Sequence, residues 1–183
     1  MGVILMKYKR ELIKSMSFLG KKKNTIFIGQ SVSYSGNAIY NTLKGVSSKK
    51  KVELPVFEDV QMGMSIGMAL NGHVVITCFP RFDFLICAMN QLVNHLDKIR
   101  KMSRGEMRPK VIIRTSIGSK NPLDGGPQHT KNYIKEIKKI LSEVKVILLN
   151  KPENIFTSFK KAYEDKNCYS YLFIEHGDFY NEK

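Results

Sequence analysis

Along the chain, short runs of β-branched and aromatic residues alternate with stretches whose apolar residues recur every three or four positions. Leu12, Ile13, Met16 and Phe18 stand among charges and predict an amphipathic helix over 6–19. Thr25-Ile-Phe-Ile-Gly29 reads as a buried strand closing on a glycine turn, with a loop over 30–36 and a short helix over 37–46 behind it. Val52 to Leu54 predicts a short strand ahead of Pro55. The next helix, 58–71, carries Gly63, Ser65, Gly67 and Ala69, which permit close packing. Strands follow at His73–Cys78, Lys110–Thr115, Val144–Leu149 and Tyr171–Ile174, and helices at 83–102, 131–142 and 152–166.

This alternation of β and α units predicts an α/β fold, with a mainly parallel sheet between two layers of helices. Ligands of such sheets bind beyond the carboxyl ends of the strands. The candidate segments are therefore 29–36, 55–58, 79–84 and 116–130. The last is a loop of about fifteen residues, a length that usually signals function. No repeat, low-complexity tract or linker interrupts the pattern, so residues 1–183 are expected to form one domain.

Composition narrows the class. Hydrophobic residues make up 43% and charged residues 25%, an ordinary globular balance. No apolar run approaches the ~20 residues of a membrane span. The opening Met1-Gly-Val-Ile-Leu-Met6 is too short for a signal-peptide core and lacks the Ser or Thr of a myristoylation signal. Three cysteines without a CxxC pair fit reduced thiols, and a cytoplasmic location is expected. Thirty basic against sixteen acidic residues give a net charge of +14, which raises the question of nucleic acid. The basic residues are scattered, at Lys21–Lys23, Lys49–Lys51 and Lys160–Lys161 among others, with no nucleic-acid motif. A solvated basic surface is the preferred reading, and an acidic protein partner is the third.

Few side chains stand out by chemistry alone. Glu58 follows Pro55-Val-Phe at a strand-to-helix junction, where a carboxylate gains from the helix N-terminus. It reads either as a helix cap or as a site acid. His129 ends the glycine-rich Asp124-Gly-Gly-Pro-Gln-His129, and is either a site residue or an ordinary loop residue. Phe79, Phe82 and Phe84 flank Pro80-Arg81 and could stack a flat ring or line the core edge. There is no phosphate-binding GxxxxGK[ST], no GxGxxG after a strand, no GxSxG and no zinc-like spacing. No resident metal is expected on this chain.

Several ordered motifs together resemble a known family. Gly29-Gln-Ser-Val32 with Gly36 is similar to G-E-D-V…G. Leu54-Pro-Val-Phe-Glu58, Gly63, Gly67-Met-Ala69 and Gly72 are similar to T-P-I-x-E…G…GxA…G. Phe84, Ala88-Met-Asn-Gln91 and Asn94 are similar to F…A-x-D-Q-x-x-N, and Met102-Ser-Arg-Gly105 to M-S-G-G. Arg114, Gly118 and Gln128-His129, then Leu172-Phe-Ile-Glu-His176 and Tyr180, complete the match over about residues 6–180. The chain thus resembles the transketolase-like pyrimidine-binding domain of thiamine-diphosphate enzymes, as found in the beta subunit of 2-oxoacid (pyruvate) dehydrogenases.

The resemblance implies a three-layer thiamine-diphosphate-binding fold and a role for each matched residue. Glu58 would hold a pyrimidine ring nitrogen and share a proton with it, Phe84 would stack on the ring with Phe82 beside it, and His129 would contact substrate. It implies a subunit of a split enzyme that decarboxylates a small 2-oxo acid and passes on the acyl or aldehyde unit. The alternatives are a transketolase-like carbon–carbon ligase half and a non-catalytic interaction subunit that kept the fold. A G-D-G…N-N motif for diphosphate and Mg²⁺ is absent from these residues, and the chain is expected to lack the family's C-terminal domain. The implied partner is an alpha-type subunit carrying both the motif and Mg²⁺, in a heterodimer or heterotetramer, with self-association also open. Gln30 stands where the family has an acid that couples two active sites, and Asn90 replaces the helix acid. Thr115-Ser-Ile replaces Gly-Pro-x before Gly118, and Thr130-Lys131 replaces Ser-Gln after the histidine, so the substrate side is expected to differ.

Overall fold

The computed structural model describes residues 2–118, 120 and 124–180, with residues 2–6 described by backbone alone. Met1 and part of the 116–130 loop read from sequence lie outside the described residues. The elements are α1 (Gly2–Gly20), β1 (Thr25–Gly29), α2 (Ala38–Asn41), β2 (Lys51–Glu53), α3 (Glu58–Leu70), β3 (Val74–Cys78), α4 (Phe82–Ile86), α5 (Ile99–Met102), β4 (Val111–Ile117), α6 (Ile134–Ile140), β5 (Lys145–Leu148), α7 (Pro152–Glu164) and β6 (Tyr171–His176). The six strands form one parallel sheet in the order β2-β1-β3-β4-β6-β5. Parallel neighbours cannot be joined by tight hairpins, and the connections carry the helices.

Residues adjacent along a strand point to opposite faces, and both faces are apolar, as the sequence pattern anticipates. Phe27, Ile76, Ile112 and Phe173 enter one core with Leu12 and Met16 of α1 and Ile155 and Phe159 of α7. Ile28, Val75, Ile113 and Leu172 enter the other with Met62 of α3, Leu85 of α4 and Ile137 of α6. Each fully buried Leu, Ile or Phe contributes about 1.5–3 kcal/mol relative to an exposed one. Every residue of β3 and β4 is buried. The three-layer α/β fold read from the pattern is the one formed.

The helix expected over 83–102 is not continuous. It breaks after Ile86 and resumes as a π-helical turn at Asn90–Leu96 before α5. The Asp97 N–H reaches back five residues to the Leu92 carbonyl, at 3.0 Å. This wider turn admits one extra residue without disturbing the apolar spacing of Leu85, Leu92 and Leu96. It delivers the buried Asp97 carboxylate to the end of α6. There the carboxylate accepts from the N–H groups of Ser142 (3.0 Å), Glu143 (2.8 Å) and Val144 (2.8 Å) and from the Ser142 hydroxyl (2.9 Å). Burial raises its pKa, but these donors outweigh it and hold the carboxyl below its ordinary value. Helix α2 is also shorter than the expected 37–46, starting where the Asn37 side chain accepts from the Tyr40 N–H at 2.9 Å.

Candidate active site at the switch point of the sheet

The chain runs outward from β1 to β2, then returns to place β3 on the other side of β1. A crevice opens at such a switch point, beyond the carboxyl ends of the strands. Here it holds a cavity of about 270 Å³. Gln30 and Ser31 line it behind β1, Arg81 and Phe84 behind β3, Ser116 at the end of β4, and Tyr180 behind β6.

The loop after β1 is fixed from the side. The Glu53 carboxylate, at the end of β2, accepts the N–H groups of Ser31, Val32 (2.9 Å) and Ser33 (2.7 Å). Three convergent N–H groups form an anion-binding nest, and Glu53 fills it. Ser31 takes a positive φ of 51°, unusual for a residue with a side chain and typical of constrained functional loops. Gly29 approaches β3 so closely that a Cβ would lie 2.5 Å from the Cys78 carbonyl oxygen.

Glu58 is the first residue of α3. Its Oε1 accepts from the Gln30 amide at 2.9 Å, so the carboxylate is turned toward the loop after β1 and not used to cap its own helix. The thirteen-residue α3 adds the positive end of its dipole. The half-buried Phe84 lies 5.3 Å from the His129 ring, edge to face at 73°. His129 Nδ1 is buried without a hydrogen-bond partner among the described residues, an orphan of the kind that awaits a ligand or water. Arg81 holds the histidine loop in place, with Nη1 donating to the carbonyls of Gly118 (2.9 Å) and His129 (3.0 Å).

Behind the cavity runs a buried polar network. Arg114 and Glu175 are fully buried and form a bidentate pair, Nε–Oε1 at 2.6 Å and Nη2–Oε2 at 2.8 Å. Arg114 Nη1 also donates to Thr42 Oγ1 at 3.0 Å, and the Tyr180 hydroxyl donates to Glu175. Burial disfavours the charged Arg114, but Glu175 outweighs it and the guanidinium stays protonated. Burial and Glu175 together push the Tyr180 phenol far up, so it remains a neutral donor. Burial also pushes the Cys78 thiol up to about 11, which leaves that cysteine unreactive near neutral pH.

The structure thus brings Phe84 and His129 together and sets Glu58 at the same sheet edge through Gln30. Phe82 goes elsewhere: fully buried, it packs edge-on against Tyr133 in the core, 5.6 Å between centroids. Phe79 is buried in the same core. Sequence reasoning had not assigned a site role to Arg81, Asn37, Ser116 or Glu53. Their signal is positional, since each lies at or just beyond the carboxyl end of a strand or in the loop behind one. Among the described residues, no group of three or more His, Cys, Asp or Glu side chains could hold a metal ion, and no helix is long and apolar enough to cross a membrane.

No family model matches the chain. Over 165 residues it is 28% identical to the pyruvate dehydrogenase E1 component subunit beta of Gracilaria tenuistipitata var. liui, covering 87% of this chain and 49% of that protein. The chain thus spans about half the length of the curated relative it matches. Among solved structures it is similar to a transketolase from Campylobacter jejuni, with a TM-score of 0.70, 11% identity, and coverage of 91% of this chain and 25% of that one. It is also similar to a split-gene transketolase described as an inactive beta4 tetramer, with a TM-score of 0.61, 14% identity, and coverage of 93% and 51%. In sequence and in fold, the chain resembles the pyrimidine-binding domain shared by pyruvate dehydrogenase beta subunits and transketolases.

Proposed function

We propose that this chain is the pyrimidine-binding subunit of a split thiamine-diphosphate enzyme that acts on a small 2-oxo acid together with an alpha-type partner. One observation supports the reading: Phe84 lines the switch-point crevice with the His129 ring packed against it, and Glu58 is tied to a crevice wall through Gln30, each at its place in the matched motifs. When bound, thiamine diphosphate supplies the carbon nucleophile and electron sink for 2-oxo acid decarboxylation.

The residues present suit the pyrimidine end of that cofactor. Glu58 offers a carboxylate to a ring nitrogen and can hold or release a proton there. Gln30, itself a wall of the crevice, donates to that carboxylate and fixes its direction. Phe84 presents a half-buried ring face on which a flat heterocycle can stack. His129 brings to the same edge a ring nitrogen without a partner among the described residues, which can hydrogen-bond a substrate oxygen. The diphosphate and Mg²⁺ would be held by the partner chain.

An exposed apolar strip beside Glu58 supports the need for a partner. Val56 is 73% and Phe57 60% exposed, and Val60 and Met64 continue the strip along α3. Large exposed apolar side chains that lie together mark interaction surfaces.

The test is Glu58→Gln in the complex purified from native cells with whatever chain accompanies this one. Turnover of 2-oxo acid is expected to fall at least a hundredfold while the complex stays assembled. Unchanged turnover would refute the catalytic reading and leave the interaction-subunit alternative. Transfer to an aldehyde or sugar, with no activity toward a lipoyl acceptor, would select the ligase alternative.

A further inference from the structure

We propose that Arg81 is the anion-recognising residue of the crevice and that the cavity takes the carboxylate of a small acid. This deepens the preceding reading by assigning one residue to the substrate's charged group.

The guanidinium has five N–H donors in a planar fork. Only Nη1 is spent on the loop, donating to the Gly118 and His129 carbonyls. Nε and Nη2 have no partner among the described residues, and the side chain lines the cavity. That edge of the fork is the one that matches a carboxylate with two parallel hydrogen bonds.

The nearby acids do not neutralise it. Glu58 is turned toward Gln30, Glu53 is taken up by the 31–33 backbone, and Glu175 pairs with Arg114. Asp178, close to Gly118, accepts from the Lys120 N–H at 3.0 Å. Among the described residues, Arg81 forms no ion pair. Among the described residues it is also the one cation lining the cavity, whose other polar walls are neutral: Gln30, Ser31, Asn37, Ser116 and Tyr180. A half-buried positive charge among neutral polar walls favours a monoanion over a neutral ligand. At about 270 Å³ the cavity lies at the small end of ligand pockets, which suits a short-chain acid.

A structural clamp alone would account for the Nη1 bonds, and the test must separate the two roles. Binding of pyruvate, of its neutral methyl ester and of inorganic phosphate to the full chain is measured by ligand-observed NMR without cofactor. Pyruvate is expected to bind in the millimolar range and the ester at least tenfold more weakly. Arg81→Gln should abolish the preference for the anion, and Arg81→Lys should restore part of it. Hydrogen exchange of residues 124–130 in each variant reports the clamp. Equal loss of pyruvate and ester binding together with loop opening would reduce Arg81 to a clamp and overturn the proposal. So would absence of anion preference in the unaltered chain. Stronger binding of phosphate than of pyruvate would keep Arg81 as the anion site but replace the small acid with a phosphorylated substrate. Because no step uses the cofactor or the partner, failure of the Glu58 test leaves this result standing, and the reverse.

Discussion

Replacing Arg114 by Met is the sharpest test of how the crevice is supported from behind. The substitution conserves volume but leaves Glu175, fully buried, with only the Tyr180 hydroxyl of its three hydrogen-bonding contacts. Removing one partner of a buried ion pair costs about 3–5 kcal/mol, because the remaining charge is stranded. With a urea slope of about 1–3 kcal/mol per molar, the unfolding midpoint should fall by at least about 1 M. Replacing Glu175 by Leu in the same chain removes the stranded charge. It leaves the Tyr180 hydroxyl without an acceptor, worth about 1–3 kcal/mol. The double variant should therefore be more stable than the single one, and adding Tyr180→Phe should bring it close to the unaltered protein. Thr42 stays satisfied throughout, since its hydroxyl donates to the Ile39 carbonyl. The assay is urea unfolding at pH 7, followed by far-ultraviolet circular dichroism. A loss below 1 kcal/mol for Arg114→Met would refute the reasoning, as would a double variant no better than the single.

Two further substitutions probe the scaffold. Asp97→Asn should cost about 1–3 kcal/mol at pH 7, since the carboxylate gathers three backbone N–H groups. The folded state lowers the Asp97 pKa below its usual 3.8, so its contribution is complete above that value and fades as pH falls through the lower folded one. The stability gap between the two proteins should therefore close below about pH 4 in urea unfolding; a constant gap from pH 7 to pH 3 would contradict the assignment. Gly29→Ala places a methyl 2.5 Å from the Cys78 carbonyl oxygen at a φ of 153°. A loss of about 1–3 kcal/mol is expected, with slackening of the β1–β3 edge, and an unchanged melting temperature would show that the approach is not tight.

The layers and strand positions were legible because they depend on which residues are apolar, and the sheet buries both faces. Thr25–Gly29 was read to the residue for that reason. The break in 83–102 was not legible. A π-helical turn keeps Leu92 and Leu96 on the core face, so apolar spacing cannot register it. The aromatic cluster was half legible. Phe82 and Phe84 are two residues apart on one helix, and a helix turns about 100° per residue, so they face nearly opposite ways. One had to enter the core, and only the fold decides that it is Phe82. The Arg114–Glu175 pair is 61 positions apart in sequence and meets only because β4 lies beside β6.

The polar side chains at this sheet edge tie elements to one another and not to themselves. Glu58 depends on Gln30 for its direction, the Gln30 loop depends on Glu53 for its shape, and the His129 loop depends on Arg81. In each case a polar side chain at or beyond one strand end fixes the loop or side chain that follows another. A sheet edge needs such cross-ties because loops beyond the strands have no ladder of their own. The Gln30 amide reaches Glu58 by donating through Nε2, and a neutral amide neither takes up nor releases a proton near neutral pH. The tie at Gln30 therefore fixes the position of Glu58 without sharing a proton with it.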